Sequence, residues 1–250
     1  MLKNPSGIAI LLIAALTVFF FGIHNANGML FAAGFGTRMK ALTKDRPKPL
    51  ITVAGEPLIG HALALVSAYG PIRKVANLHY KPEPLAEYLE PRGVDVVVET
   101  PEILDTGGGL KNALPLLGPH PVFTLNTDAI WAGPNPLGLL AKAWDPTVMD
   151  ALLICVPLAR TVASVSTGDF DVGQEGRLAR RGPWVYGGAQ IIKTDRLGEI
   201  TGQCFSLNLL WDLMLADGRL YGLSYPGKWC DVGHPEGIAA AEKMLGEPIV

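Results

Sequence analysis

Short apolar runs alternate along most of the chain with segments in which apolar residues recur every three or four positions. The runs are rich in valine, isoleucine and leucine and are bounded by glycine, proline or charged residues, which is typical of buried strands. In the first two thirds of the chain, this pattern predicts strands over residues 29–33, 72–78, 94–98, 122–125 and 151–157.

The clearest helical pattern covers residues 57–68. Pro57 stands at the first helical position, apolar residues follow at helical spacing, and Gly70 comes just past the end. Two shorter helices are predicted over residues 105–116, opened by a glycine-rich turn, and over residues 136–143. Strands and helices that alternate in this way predict an α/β fold, in which helices cover a mostly parallel sheet.

Beyond residue 157 the pattern changes. Residues 169–172 and 184–192 have the composition of antiparallel strands around a polar turn at residues 174–176. A helix over 206–217, strands over 220–225 and 229–232, and an alanine-rich helix over 235–245 follow. We therefore expect a sheet that is parallel first and mixed later, in one domain of residues 29–250.

The first 28 residues have a different character. Lys3 precedes an almost wholly apolar run over residues 8–23, and small and polar residues follow over 24–28, which is the layout of a signal peptide or a short membrane anchor. The run is shorter than the roughly 20 residues that cross a bilayer as a helix. It is either a native targeting or anchoring element or a non-native start, and residues 1–28 are left outside the domain.

Charge and cysteine content exclude two classes of protein. With 21 basic and 23 acidic residues, the chain lacks the positive field with which proteins bind nucleic acid. Cys155, Cys204 and Cys230 are widely spaced and form no C-x-x-C pair, so neither a zinc site nor a disulfide framework is indicated. We expect a cytoplasmic protein, tethered to the inner membrane only if residues 8–23 are a native anchor.

The segment AAGFGTRMKALTKDRPKPL, residues 32–50, contains the first candidate site. Gly34 and Gly36 directly after a strand let a ligand approach the backbone, and free amides there attract phosphate oxygens. Arg38 and Lys48, in a segment whose prolines disfavour a helix, are suited to bind those oxygens. Neither the dinucleotide fingerprint nor the P-loop motif is complete. The alternative is a surface turn with two solvated cations.

Two aspartates, Asp128 and Asp231, each come at the end of a predicted strand. Ligands of open α/β sheets bind outside the carboxyl ends of strands, so both carboxylates are expected at the same crevice as Gly34. Two carboxylates together with nucleotide phosphates suit Mg²⁺, which usually takes only one or two protein ligands. The alternative is that Asp128 caps the turn before Pro134 and Asp231 caps the helix that begins near Pro235.

Other residues are expected near this crevice. The run DTGGG, residues 105–109, fits either a nucleotide base lying on the main chain or a simple tight turn. Asn77 and His79 end the second strand, and Gly187 and Gly188 interrupt a later one, which often marks the close approach of a ligand or another backbone. No nucleophile elbow or metal-binding histidine pair is present. We interpret three arginines near the polar turn, Arg177, Arg180 and Arg181, as the solvated face of a hairpin.

Taken together, the motifs resemble the signature of the sugar-phosphate nucleotidyltransferases, which runs strand, A-G-x-G-T/E-R-M, a spacer and P-K-P-L. The segments VANLHY, DTGGGLKNALPLLG, FTLNTD and KWCDVGHPEGIAAAE follow in the family's order, so that the resemblance covers residues 29–245. It implies a Rossmann-like three-layer α/β/α nucleotidyltransferase fold and a magnesium-dependent enzyme. The chain differs from the larger members over residues 167–172, TGDFDV, where they carry a lysine.

The resemblance also implies roles for residues at matching positions. Asp128 and Asp231 would bind magnesium, and Arg38, Lys48 and Asp128 would be catalytic. Nucleotide contacts are implied for Ala33, Gly34, Gly36, Thr37, Arg38, Lys48, Gly107 and Gly108. Sugar-phosphate contacts are implied for Asn77, Asp169 and Gly188.

The implied reaction transfers a nucleotidyl group from an NTP to a sugar 1-phosphate and releases pyrophosphate. Within the family, the compact length, the DTGGG run and the W-x-D-V-G ending favour UTP and N-acetylmuramate 1-phosphate, in cell-wall recycling. The alternatives are another sugar phosphate or phosphocholine with CTP or GTP, and a nucleotide-sugar-binding module without catalysis. Oligomeric state stays open.

Overall fold

A computed structural model of the chain describes residues 27–162 and 167–247. The apolar run over residues 8–23 lies outside these ranges. Within them, no helix is both long enough and apolar enough to cross a membrane.

Strands and helices alternate as the apolar pattern predicted. The strands are β1 (Gly28–Phe31), β2 (Thr52–Val53), β3 (Glu56–Pro57), β4 (Lys74–Leu78), β5 (Val94–Val98), β6 (Val122–Asn126), β7 (Ala129–Ala132), β8 (Ala151–Pro157), β9 (Phe170–Val172), β10 (Leu178–Arg180), β11 (Trp184–Ile192), β12 (Leu220–Ser224) and β13 (Lys228–Asp231). The α-helices are α1 (Leu58–Tyr69), α2 (Pro82–Leu89), α3 (Asp105–Leu117), α4 (Pro136–Ala143), α5 (Leu207–Ala216) and α6 (Pro235–Gly246).

The main sheet of the described residues has nine strands. Seven of them run in the order β10-β9-β11-β6-β1-β4-β5, while β8 pairs with β11 and β12 pairs with β8. Strands β6, β1, β4 and β5 are mutually parallel, whereas β11 is antiparallel to β6 and to β8. The prediction of a sheet that is parallel first and mixed later is confirmed.

Helices bury both faces of this sheet. Successive residues of a strand point to opposite faces, and in β1 Met29 and Leu30 are both fully buried, each in a different core cluster. Ile59 of α1 packs in the cluster of Leu30, while Leu110 of α3 and Leu210 of α5 pack in that of Met29. The chain therefore has the predicted three-layer α/β/α architecture.

A smaller layer beside the main sheet supports part of the site. Strands β7 and β13 form an antiparallel pair, and a third core cluster beneath them contains Met39, Ile130, Val232 and Ala241. Met39 lies on the segment that follows the glycine loop, and Ala241 lies on α6. This cluster therefore holds the loop after β1 against the end of β13.

The predicted start of the domain at residue 29 needs a correction of two residues. Gly28 is the first residue of β1, and its amide donates to the Arg73 carbonyl at 2.8 Å. The Phe123 amide donates to the Asn27 carbonyl at 2.9 Å, and the Asn27 side chain donates to the Leu117 carbonyl at 2.7 Å. Asn27 and Gly28 were assigned to the leader because they are polar and small, yet their backbone belongs to the sheet.

The second half of the sheet also differs in detail. The two predicted strands around the turn at residues 174–176, β9 and β11, are antiparallel, but they pair only through Phe170 and Trp184. The strand that pairs with β9 across that turn is β10, which was not predicted. The segment of β10 is short and contains Arg180, so its apolar pattern is weak. Helix α2 was also missed because prolines dominate its start; Pro82 stands in its first turn, where proline is tolerated.

Candidate active site

The carboxyl ends of β1, β4 and β6 form the floor of a crevice. Phe31 at the end of β1 lies opposite Asn77 of β4 on one side and opposite Asn126 of β6 on the other. Gly34, Asn77 and Asp128 therefore meet at one place, as expected from the strand directions. The first pocket opens here, with a volume of about 220 Å³, and is lined by Phe31, Ala33, Gly34, Asn77, Ile103, Asp105, Thr106, Asn126 and Asp128.

The two glycines of the loop after β1 meet different requirements. A Cβ added at Gly34 would find no atom within 4 Å, so this side of the loop is open to a ligand. Gly36 has a left-handed φ of 64°, and a Cβ there would lie 2.8 Å from the Lys48 Cβ and 2.9 Å from the Thr43 Cγ2. Within the described ranges, the amides of Gly34, Phe35 and Gly36 donate to no protein acceptor, which leaves them free for phosphate oxygens.

Arg38 and Lys48 lie on 3-10 turns, not on the non-helical segment that the prolines suggested. Arg38 is exposed in a 3-10 stretch over Thr37–Thr43, and Lys48 begins a single turn over Lys48–Leu50. Pro47 stays extended before that turn, so the prolines exclude an α-helix but not this tighter turn. Thr37 is exposed beside Arg38 at the mouth of the loop.

Lys48 and Asp128 form a close ion pair at the rim of the first pocket. The Lys48 Nζ donates to the Asp128 Oδ2 at 2.6 Å, and the two side chains are 12% and 29% exposed. The Coulomb attraction between two charges is stronger where water is partly excluded than on the open surface. The two residues are brought together by the fold across 80 positions of sequence.

Asp231 joins this pair through the β7–β13 layer. Asp231 pairs with Ala129, the neighbour of Asp128, and the Val232 amide donates to the Asp128 carbonyl at 2.9 Å. Burial raises the pKa of the Asp231 carboxyl, and the nearby Asp128 carboxylate raises it further, whereas Lys48, Arg38 and His234 act in the opposite direction. The two carboxylates thus stand close enough to interact electrostatically.

The capping alternatives for these aspartates do not hold. The N-cap position of α6 is occupied by His234, and Asp231 lies within β13. Asp128 lies between β6 and β7, and the cap of the following helix is Asn135, whose side chain accepts from the Leu137 amide. Neither aspartate therefore occupies a helix N-cap position.

The donor set suits a magnesium ion that is shared with a substrate. Asp128 and Asp231 offer carboxylate oxygens, which Mg²⁺ prefers, and Mg²⁺ usually retains water and binds substrate phosphates as well. In the part of the chain that the structure describes, no group of three or more His, Cys, Asp and Glu side chains forms a metal site. The two aspartates therefore fit the metal only together with phosphate oxygens or water.

His234 was not singled out from the sequence, although it belongs to this corner of the site. Its Nε2 lies 3.4 Å from an Nη1 of Arg38. The segment KWCDVGH placed it three residues after Asp231, so proximity to the aspartate was the available signal.

Gly107 and Gly108 have a packing role in this structure. Both amides donate to the Phe205 carbonyl, at 2.9 and 3.0 Å. A Cβ at Gly107 would lie 2.5 Å from the Phe205 ring, and one at Gly108 would lie 2.0 Å from the Gln203 carbonyl oxygen. The glycines let residues 203–205 cross the start of α3 closely, and their contact with a base stays a prediction. The pocket itself is lined by the preceding Asp105 and Thr106.

Asn77 is largely engaged by the protein. It is buried, its Oδ1 accepts from the Ala32 amide at 3.0 Å, and its Nδ2 donates to the Glu99 Oε1 at 2.7 Å. Glu99 is also buried and accepts from the Leu104 amide at 2.8 Å, so it links the loop after β1 to the segment before α3. His79 lies against the Glu99 carbonyl and does not line the first pocket. The burial of Glu99 was not predicted, because the sequence VVVETP does not indicate which residues Glu99 contacts.

A second pocket of about 280 Å³ adjoins the first and shares Phe31, Asp105, Thr106 and Asn126 with it. Its other lining residues come from the mixed half of the sheet and from α5; they are Asp169, Phe170, Arg180, Tyr186, Ser206, Leu207, Asn208 and Trp211. Arg180 was interpreted as part of a solvated hairpin face, and this interpretation is wrong, because the β9–β10 hairpin turns its side chain towards α5. The two pockets form one cleft.

Asp169 and Gly188 are placed differently in this cleft. Asp169 is exposed in the second pocket, and its Oδ2 accepts from the Tyr186 amide at 2.8 Å. Gly188 has a φ of 84° in a bulge of β11, and a Cβ there would lie 2.8 Å from the Asn126 Cβ. The close approach inferred for Gly188 is thus made by Asn126. Asn126 lines both pockets and was not predicted, although it stands two positions before Asp128. A direct sugar contact of Gly188 stays a prediction.

The chain is similar to proteins of known activity over most of its length. Residues 28–167 match the MobA-like NTP transferase domain. An N-acetylmuramate alpha-1-phosphate uridylyltransferase of Caulobacter vibrioides is 39% identical over 237 residues, which cover 88% of this chain and 96% of that protein. A mannose-1-phosphate guanyltransferase of Gibberella zeae is 30% identical over 84% of this chain, which spans 61% of the length of that relative.

Solved structures share the fold at low sequence identity. HddC from Yersinia pseudotuberculosis, complexed with GMP-PN, superposes with a TM-score of 0.70 at 20% identity, over 88% of this chain and 99% of that chain. The inositol-1-phosphate CTP transferase from T. maritima superposes with a TM-score of 0.71 at 14% identity, over 88% and 96% of the two chains. The chain therefore belongs to the MobA-like NTP transferase family and is an enzyme of the sugar-phosphate nucleotidyltransferase type.

Proposed function

We propose that the protein transfers the uridylyl group of UTP to N-acetylmuramate 1-phosphate, releases pyrophosphate and requires magnesium. The observation that carries this proposal is the convergence of the open glycine loop, the Lys48–Asp128 pair and Asp231 at one rim of the cleft. The relative that acts on N-acetylmuramate 1-phosphate is matched over almost its whole length, which supports the choice of substrates.

The first pocket would hold the nucleotide. The free amides of the loop after β1 and the exposed Arg38 would bind its phosphates, and the open face at Gly34 would let them approach the main chain. Lys48 is held by Asp128 at a fixed position and would add a point charge on the same phosphates. Ala33 would line the base and ribose side of this pocket.

The second pocket would hold the sugar, with its 1-phosphate directed towards Asp128 and Asp231. Bound magnesium would neutralise and align the phosphates of both substrates. An oxygen of the sugar phosphate attacks the α-phosphorus of the NTP, the bond from that phosphorus to the bridging oxygen breaks, and pyrophosphate leaves with the electron pair. A phosphate monoester is already ionised, so the protein needs no general base and contributes positioning and charge stabilisation.

The test is pyrophosphate release from ATP, CTP, GTP and UTP, each combined with N-acetylmuramate 1-phosphate, N-acetylglucosamine 1-phosphate, mannose 1-phosphate or phosphocholine. We expect release with UTP and the amino-sugar phosphates, and its loss when magnesium is chelated. Preference for GTP and mannose 1-phosphate would favour the activity of the Gibberella zeae relative. Nucleotide binding without release from any pair would indicate a binding module and contradict the proposal.

Asp128→Asn tests the role of the metal-facing carboxylate. The amide keeps the shape and still accepts from Lys48, but it removes a charge where the phosphates meet, so we expect turnover to fall more than about a hundredfold. Circular dichroism and the free energy of unfolding should show that the variant stays folded. Asp95→Asn is the matched control, because Asp95 pairs with Arg73 on the exposed surface near the start of β5. Near-normal turnover of Asp128→Asn would contradict the metal assignment.

A further inference from the structure

The second pocket contains one feature that a neutral sugar does not require. Among the described residues that line it, Arg180 is the only cation, and its side chain is 34% exposed. The other charged lining residues, Asp105 and Asp169, suit the hydroxyl donors of a sugar ring. A negatively charged substituent on the sugar would therefore find one favourable partner in this pocket.

The Arg180 guanidinium is held in a fixed orientation by α5. Its Nε and Nη2 donate to the Asp212 Oδ1 at 3.0 and 2.6 Å, its Nη1 donates to the Asn208 Oδ1 at 2.8 Å, and its Nη2 also donates to the Asn208 carbonyl at 3.2 Å. The guanidinium lies 5.0 Å from the Phe170 ring centroid and 5.8 Å from that of Trp211. An arginine ordered in this way loses little further entropy when it binds a ligand.

One donor remains after these contacts. A guanidinium has five N–H groups, and the four hydrogen bonds to α5 leave an N–H of Nη1. Asp212 is itself 55% exposed, so solvent screens part of the negative charge that it places beside Arg180. The arginine therefore keeps both a donor and a residual positive charge at the pocket.

We propose that Arg180 binds a carboxylate carried by the sugar and so selects acidic sugar phosphates over neutral ones. This inference rests on the proposed function, because N-acetylmuramate 1-phosphate differs from N-acetylglucosamine 1-phosphate only by a lactyl ether that ends in a carboxylate. With the 1-phosphate directed towards Asp128 and Asp231 as proposed, that ether would extend into the second pocket, which Arg180 lines. A charge-assisted hydrogen bond is the expected contact.

The test compares kcat/KM for these two sugar phosphates with UTP and magnesium, in the full chain. For Arg180→Met we expect a loss of about tenfold to a hundredfold with N-acetylmuramate 1-phosphate, because a hydrogen bond to a charged group is lost, and little change with N-acetylglucosamine 1-phosphate. Arg180→Lys should retain part of the preference, because it keeps the charge and lacks the fork. Arg181→Met is the matched control, since Arg181 is the exposed neighbour and lies outside the lining.

Asp212→Asn separates a carboxylate contact from a general loss of the β10–α5 packing. Asn208 still holds Arg180 in this variant and the competing charge is gone, so the preference for the acidic sugar should persist or increase. A preference that falls as far in Asp212→Asn as in Arg180→Met would overturn the inference.

The remaining outcomes distinguish this inference from the proposed function. Equal loss with both substrates in Arg180→Met, or no loss with either, would overturn the carboxylate contact and leave nucleotidyl transfer intact. A wild-type enzyme that uses only the neutral sugar phosphate would also overturn the carboxylate contact and leave nucleotidyl transfer intact. Absence of turnover with every sugar 1-phosphate would overturn the proposed function, and the inference with it.

Discussion

At the scale of single residues, the glycines of the site have two distinct physical roles. Gly36 adopts a left-handed φ and lies against Lys48 and Thr43, so the fold itself requires it. Gly34 has neither constraint and borders open space at the first pocket. Substitution by alanine should therefore separate an effect on folding from an effect on binding.

We expect Gly36→Ala to lower the free energy of unfolding by about 1–2 kcal/mol from the backbone alone, and to displace Lys48. Gly34→Ala should leave that free energy unchanged but lower kcat/KM at least about tenfold, because its methyl group intrudes where phosphate approaches the loop. Urea denaturation and pyrophosphate release measure the two effects. An unstable Gly34→Ala, or a stable Gly36→Ala with normal activity, would contradict this division.

At the scale of secondary-structure elements, the glycines at the start of α3 make close packing contacts. The glycines of DTGGG let residues 203–205 run directly across the helix, and the Phe205 carbonyl accepts from two consecutive amides. α4 also contains a glycine, Gly138, but a Cβ there would meet no atom within 4 Å. The two helices thus provide a matched pair for testing the role of glycine.

Gly108→Ala should destabilise the protein by about 1–3 kcal/mol, since its Cβ would collide with the Gln203 carbonyl oxygen and backbone must move. Gly138→Ala should stabilise it by about 0.5–1 kcal/mol, because alanine costs less backbone entropy in a helix. Thermal and urea denaturation measure both. If both substitutions changed the free energy of unfolding in the same direction and by a similar amount, helix propensity, and not the contact with residue 203, would determine the effect at Gly108.

Another element-scale feature ties together the ends of β8, β11 and β12. Asp150 accepts a hydrogen bond from the Lys193 Nζ and forms an ion pair with the Arg219 Nε, each at 2.9 Å. Burial raises the pKa of Asp150, but the hydrogen bonds and charges of Lys193 and Arg219 outweigh it, so the net pKa lies below its usual value. The cluster therefore favours the ionised carboxylate in the folded state.

A lowered carboxyl pKa stabilises the fold above the unfolded-state pKa of about 4, and this stabilisation is lost as the pH falls through the lower folded-state value. Asp150→Asn should therefore be less stable than wild type by about 1 kcal/mol at pH 7, and the difference should shrink at about pH 3. Urea denaturation at the two pH values measures this. Asp95→Asn, in an exposed pair, should show little difference at either pH. A stability difference between Asp150→Asn and wild type that grows towards low pH would contradict a lowered pKa of Asp150.

At the scale of the whole molecule, the cleft joins the two halves of the sheet. Its first pocket lies at the parallel strands β1, β4 and β6, and its second pocket lies against β9–β11 and α5. The β7–β13 layer brings Asp231 close to Asp128, which lines the first pocket. In the proposed reaction, the phosphates of the two substrates would meet beside Asp128.

Deletion of residues 1–26 tests the start of the domain. A chain that begins at Asn27 keeps every hydrogen bond of Asn27 and Gly28 to the sheet, so we expect unchanged stability and activity. A chain that begins at residue 29 loses the hydrogen bonds of these two residues to Arg73, to Phe123 and to Leu117 of α3, and should be less stable by about 1–3 kcal/mol. Equal stability of the two chains would contradict the corrected boundary, and inactivity of the longer one would contradict the assignment of residues 1–26 to a separate leader.

Much of the molecule was predictable because its signals are local in sequence. Apolar periodicity located the parallel strands and most helices, and the direction of parallel strands placed Gly34, Asn77 and Asp128 at one edge. The order of motifs identified the family. The periodicity and each single motif depend on residues close in the chain, whose backbone preferences act wherever the segment is placed.

Tertiary structure decided what depends on residues far apart in the chain. The Lys48–Asp128 pair, the buried Glu99–Asn77 contact and the approach of Arg180 to α5 each join separate segments. It also showed the contacts of Gly107 and Gly108 with residues 203–205, while their contact with a base stays a prediction. Side-chain partners across a fold are set by how the layers pack, and no local pattern encodes that distance. Local patterns in the chain therefore specify which chemical groups are available to this protein, and the packing of its layers specifies which of those groups meet.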